Sequence, residues 1–301
     1  MGVAMAAGRP ARLAVGVVSA GRVGAVLGAA LAAAGHHVVA TSGVSRESAR
    51  RAEALLPGVP REAPDDVVAK ADLVLLAVPD DALPGLVRGL AAAGAFRAGQ
   101  IVVHTSGAYG TGLLAPAAER GVLPLALHPV MTFTGRPEDV ARLAGCSVGV
   151  TAADGDEVAW SVGEALVVEM GAEPVRVAEE LRPLYHTALA HGANHLVTLV
   201  RDCVQLLDGV GIGPAERLVA PLLSAALDNA LRHGDRALTG PVARGDAGTV
   251  AVHLRELDAA DPDLARTYRA MAVRTAHRAR TAGLLPDHAA QDVLRTLQEE
   301  S

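Results

Sequence analysis

Lysine is almost missing from this chain. Of 27 cationic residues, 26 are arginine and only Lys70 is lysine, so a mechanism that needs a catalytic lysine must use Lys70 or be abandoned. Cysteine is equally scarce. Cys146 and Cys203 stand far apart, which excludes a disulfide framework and a four-cysteine zinc site and makes a reducing compartment the default. No run of Lys or Arg occurs and the formal net charge is -6, so the basic footprint of a nucleic-acid binder is absent. What is present is apolar: half the residues are hydrophobic, one fifth are charged and mean hydropathy is +0.29. Disordered and fibrous classes are thereby excluded, and 301 residues suffice for about two domains.

The long apolar stretch 13–40 could be mistaken for a membrane span of about 20 residues. It carries Gly16, Gly21, Gly24, Gly28 and Gly35 and ends in His36-His37, so strand, glycine turn and helix explain it better. The first eleven residues lack the apolar region and cleavage site of a signal peptide, and Met5 is a candidate second start. The expectation is a soluble cytoplasmic protein with no membrane partner.

Up to residue 178, β-branched runs alternate with helical stretches. Strands are expected at 13–18, 37–41, 73–78, 101–104, 122–127, 147–150 and 174–177, with helices at 22–34, 45–55, 81–92 and 156–170. Runs such as Leu73-Val74-Leu75-Leu76 are apolar on both faces, as in a parallel sheet covered on both sides. The fold class is therefore α/β, a doubly wound, mostly parallel Rossmann sheet over 1–178. From 179 to 301 every segment reads as helix (179–207, 214–233, 247–257, 262–282, 286–297), giving an all-α second domain.

The first strand runs into Ser19-Ala20-Gly21-Arg22-Val23-Gly24, the placement required of a dinucleotide fingerprint. Gly21 lets backbone approach a pyrophosphate, Gly24 lets helix pack on strand, and the helix N-terminus offers N–H donors. Ser19 stands where the first glycine is expected. A serine can make this turn if its dihedrals stay ordinary. No carboxylate ends the second strand. Thr41, Ser42, Ser45 and Arg46 occupy that region instead and suit a 2′-phosphate, so NADP(H) is expected over NAD(H); Ser45 is also a helix cap. Ala77-Val78-Pro79 and Thr105 should pass beside the ribose and nicotinamide. Asp80 and Asp81 are assigned no chemistry.

Two further strand ends are polar: His104-Thr105-Ser106-Gly107 and His128-Pro129. His128 suits a general acid or base, Ser106 an orienting group; a buried structural role for His128 stays open, and His104 is read as structural. The long helix carries Tyr185-His186 and His191-Gly192-Ala193-Asn194-His195. His186 and Asn194 lie close to one helix face, serving either a nicotinamide site or hydrogen bonds in a dimer. Gly192 replaces the Glu of a zinc-protease motif, so no metal is assigned. Arg244 either clamps a substrate carboxylate, pairs with Asp246 or caps a helix.

These motifs, with Leu238-Thr239-Gly240-Pro241, resemble a bacterial family that joins an N-terminal Rossmann-like domain to DUF2520, over nearly the whole chain. That family is similar in pattern to pyrroline-5-carboxylate reductases, prephenate dehydrogenases, ketopantoate reductases and 3-hydroxyacid dehydrogenases. In prephenate dehydrogenases a Ser and a His-Pro end adjacent strands and the His meets the reacting hydroxyl; Ser106 and His128-Pro129 look similar. The Lys and Asn of the 3-hydroxyacid enzymes have only His191 and Asn194 as counterparts here. The resemblance implies an NADP(H)-dependent oxidoreductase acting on a small carboxylate-bearing oxo, hydroxy or imine substrate, a ketopantoate-like 2-oxo acid first. His128 or His186 would handle the proton, Ser106 and Asn194 would orient substrate, and the helical domain would form a homodimer. The alternative is a non-catalytic dinucleotide sensor.

Overall fold

Seven apolar runs become seven strands: β1 (Ala14–Val18), β2 (His37–Thr41), β3 (Leu73–Leu76), β4 (Ile101–His104), β5 (Leu123–Pro129), β6 (Ser147–Thr151) and β7 (Glu173–Arg176). They form one sheet in the order β2-β1-β3-β4-β5-β6-β7. β1 to β5 are parallel, β6 runs antiparallel to β5, and β7 follows β6 in parallel. This is the expected doubly wound, mostly parallel sheet. The computed structural model describes residues 12–298; Met5 and the signal-peptide reading lie outside them.

Side chains alternate across β3. Leu73 and Leu75 join Val15, Val17, Leu125 and Leu127 in one apolar layer, while Val74 and Leu76 join Val18, Val102 and Leu83 in the other. Each such side chain contributes about 1.5–3 kcal/mol on burial, and two covered faces explain why the strand is apolar throughout. The covering helices are α1 (Arg22–Ala33), α2 (Arg46–Leu55), α3 (Pro64–Lys70), α4 (Leu83–Ala92), α5 (Ala115–Ala118), α6 (Glu138–Leu143) and α7 (Glu157–Glu169). Lys70 ends α3, where it pairs with Glu62, and only Ala71 and Asp72 separate it from the N-terminal end of β3. That is the sheet edge opposite the strand ends where ligands of such folds bind.

The helical part comprises α8 (Arg182–Gly209), α9 (Ala215–His233), α10 (Gly240–Arg244), α11 (Ala247–Ala260), α12 (Pro262–Thr281) and α13 (Asp287–Gln298). Pro262 opens α12 and the Asp261 carboxylate accepts from the Asp263 and Leu264 N–H groups, a cap that satisfies two orphan donors. Val242, Val250, Leu254, Ala276, Leu285 and Val293 form its core. The chain divides into two compact units, Met1–His191 and Gly192–Ser301, so the first turns of α8 belong with the sheet. Among the described residues no helix is long and apolar enough to cross a membrane.

Candidate active site

At the C-terminal edge of β1 the chain turns through Ser19 and enters α1 at Gly21. Ser19 has φ +73°, the left-handed conformation that glycine adopts freely and serine does not. The condition of ordinary dihedrals is not met: the turn keeps a glycine geometry with a serine in it. Among the described residues Ser19 is the sole non-glycine at positive φ. The turn is held from β2, since Ser42 Oγ accepts from Ser19 N–H at 3.0 Å and Ser42 O from Ala20 N–H at 2.7 Å. At Gly24 a Cβ would lie 2.2 Å from Ser19 O, so only glycine allows this approach of helix to turn. At Gly21 a Cβ would meet nothing nearer than Ser19 Oγ at 3.7 Å, so its outer face is open. No side chain caps α1 and no acidic residue occupies its first turn. The N–H groups of Arg22, Val23 and Gly24 keep the electropositive, uncapped end that binds anions.

The polar residues after β2 divide. Thr41 and Ser42 are buried, and Ser42 serves the turn. Ser45 caps α2 by accepting from Ser48 N–H. Ser45 and Arg46 are exposed, leaving them as the outward-facing members of the set. β3 stops at Leu76, two residues earlier than expected: Ala77 N–H makes the last bond to β1, at Val18 O, and the chain then turns away. Ala77, Val78 and Pro79 form that turn, with Pro79 O accepting from Ala82 and Leu83 N–H. Thr105 N–H bonds Leu76 O, which keeps the end of β4 beside it. Neither Asp80 nor Asp81 caps α4.

The ends of β4 and β5 meet the first turns of α8. His104 is fully buried. Its Nδ1 accepts from Ser106 N–H and its Nε2 donates to Gly110 O at 2.9 Å, so it is a neutral structural imidazole, as expected. Burial holds its pKa down at about 4. Ser106 is buried, with Oγ accepting from the N–H groups of Ala108 and Tyr109; its hydroxyl proton is left to donate.

His128 lies partly buried on β5, with Nδ1 2.9 Å from Tyr185 Oη. The His186 ring stands edge-on at 5.9 Å between centroids. Both rings rest over Gly107, where a Cβ would fall 2.5 Å from His186 Cδ2 and 2.8 Å from His128 Nε2. Tyr185 needs a second gap: opposite His128 in the sheet stands Gly149, whose Cβ would fall 2.5 Å from Tyr185 Oη. Burial first, then the Arg182 charge and His186, push the His128 pKa down to about 4. His128 is thus neutral at pH 7.

Arg182 was not legible as a site residue. It is fully buried, donating from Nε to Thr151 Oγ1, from Nη1 to Ser106 O, and from Nη2 to both Ala126 O and Gly149 O, all at 2.8–2.9 Å. Burial lowers its pKa to about 10, so it remains a cation, satisfied by carbonyls and a hydroxyl rather than by a carboxylate. The nearby Glu179 carboxylate instead accepts from Thr111 N–H, Thr111 Oγ1 and Gly112 N–H. The spacing Arg182, Tyr185, His186 (i, i+3, i+4) puts all three on one helix face, the signal that could have found it.

Of the predicted catalytic residues, His128, Ser106 and His186 come together in the first unit. Asn194 is exposed on α8 in the second. Arg244 is exposed at the end of α10, and Asp246 caps α11 through Thr249. Among the described residues no three His, Cys, Asp or Glu converge as a metal site would require.

Residues 3–129 match a Rossmann-like domain model and residues 146–275 match a domain of unknown function, DUF2520. No curated protein matches the chain. Similar solved structures include a proposed NADP oxidoreductase from Bacteroides fragilis (19% identity, 88% of this chain and 98% of that one, TM-score 0.72). A Thermotoga maritima protein (18%, 89% and 99%, TM-score 0.65) and an imine reductase from Streptomyces aurantiacus (19%, 95% and 100%, TM-score 0.61) are also similar. At these identities the likeness is one of fold.

Proposed function

From the premise that this chain joins a Rossmann-like domain to a DUF2520 domain, we propose that it is an NADP(H)-dependent oxidoreductase. Its substrate is a small carboxylate-bearing oxo, hydroxy or imine compound, with a ketopantoate-like 2-oxo acid first. The observation that carries this reading is a coincidence at one sheet edge. The open, uncapped start of α1 and the His128–His186 pair over Gly107 lie at the C-terminal ends of parallel strands in a single unit, where ligands of such sheets bind. The fold neighbours described as an NADP oxidoreductase and an imine reductase support it.

The residues at the turn fit a dinucleotide. Gly21 leaves a cradle that a side chain would fill, α1 supplies N–H groups for pyrophosphate, and Ser45 with Arg46 faces outward for a 2′-phosphate. When bound, the cofactor supplies or accepts the hydride. In the reductive direction the substrate oxygen or nitrogen gains a proton as its carbon gains the hydride, so the protein must hold a donor there. His128 or His186 takes that place, with Ser106 as an orienting group in the same unit. The same reading has the chain acting in the cytoplasm as a homodimer.

Gly21→Ala tests it with little disturbance of the fold, because the added Cβ meets nothing nearer than Ser19 Oγ at 3.7 Å. Unchanged melting with a Kd for NADPH raised at least tenfold is expected by fluorescence titration, and His128→Ala should cut kcat by about 10²–10⁴. Wild-type protein that binds no NADPH sinks the reading. Binding without turnover of any 2-oxo acid or cyclic imine would favour the sensor, which the strained Ser19 turn also suits.

A further inference from the structure

We propose that Tyr185 is a positioning residue that fixes His128 as the neutral Nε2–H tautomer, so that the site offers an N–H donor to a substrate oxygen rather than a base to a cationic iminium. The tautomer follows from hydrogen-bond accounting. Among the described residues the partly buried phenol has one hydrogen-bond partner, His128 Nδ1 at 2.9 Å, and a phenolic proton shielded from solvent takes the acceptor it has. Nδ1 is then an acceptor and the ring proton sits on Nε2, over Gly107, where no protein group among the described residues accepts it. The charges around the ring agree. Arg182 is a buried cation with no carboxylate partner among the described residues, 5.9 Å from the Tyr185 ring; burial raises the phenol pKa and Arg182 opposes that rise, and the same charge disfavours a second positive charge on His128. Asp80 is the acidic group whose field reaches His128, and it is outweighed, since the net shift is toward the neutral ring. A carbonyl oxygen, which gains negative charge as hydride arrives, is stabilised by this arrangement; an iminium nitrogen, which starts positive, is not.

The tautomer stands apart from catalysis; the preference for an oxygen substrate rests on the function proposed above. The test is ¹⁵N NMR of histidine-labelled full-length protein at pH 7, with His128→Gln identifying the signals. A protonated, pyrrole-like Nε2 and an unprotonated, pyridine-like Nδ1 are expected. In Tyr185→Phe the two nitrogens should move toward averaged shifts, and kcat/KM for 2-oxo acids should fall about tenfold while NADPH affinity holds. A proton on Nδ1 in the wild type overturns the proposal whether or not the variant folds. Turnover of cyclic imines at least tenfold faster than of 2-oxo acids overturns the substrate preference. Absence of NADPH binding would instead defeat the oxidoreductase reading and leave the tautomer standing.

Discussion

At the scale of single residues, His104 and His128 make the fold acid-sensitive. Both have folded pKa values near 4 against an ordinary 6.5. The unfolded chain therefore binds protons that the folded one refuses, and stability is complete above pH 6.5 and lost as pH falls toward 4. For the fully buried His104 the loss at pH 5 is about 2 kcal/mol. Urea midpoints measured at pH 7 and pH 5 should fall accordingly, and the fall should shrink in His104→Gln. His128 and Ser106 were legible because polar residues that end apolar strands stand out. Arg182 was not, because in the sequence it is one arginine among 26, and its importance lies in four acceptors brought from β5, β6 and the loop after β4. By residue type Ser42 suits a phosphate donor. Its burial against Ser19 depends on β2 lying beside β1, which pattern alone does not convey.

At the scale of elements, the turn between β1 and α1 carries the clearest local conflict. A non-glycine residue at left-handed dihedrals costs about 1–2 kcal/mol, part of which is offset by the greater unfolded-state entropy of glycine. Ser19→Gly should raise the melting temperature by a few degrees in a thermal scan; a lower one would show that the serine hydroxyl holds the turn. All seven strands were legible, because apolar runs flanked by glycine and polar residues need no tertiary context. The helices that escaped notice, α3, α5, α6 and α10, span one or two turns, too short for a 3.6-residue period to register against noise. Their positions follow from what the sheet leaves uncovered.

At the scale of the whole molecule, the helical unit carries an exposed apolar surface. Leu196, Val197 and Leu199 on α8 and Leu218, Leu222, Leu227 and Leu231 on α9 are 37–80% exposed. Exposed apolar side chains suit an interaction surface, and the proposed homodimer is the occupant that needs no second gene product. Light scattering should give twice the chain mass of 30.6 kDa, and Leu218→Glu with Leu222→Glu should halve it; wild-type protein running as a monomer at micromolar concentration excludes the assembly.

Arg182 sets an order of events. Its guanidinium completes its bonds only when Ser106, Ala126, Gly149 and Thr151 are all in place, whereas the β1–α1 turn is held by β2 and by the chain leaving β3. A nascent or damaged chain that has built the nucleotide turn but not seated this arginine would hold cofactor and do nothing with it. On the function proposed above, turnover would wait until the first unit is whole.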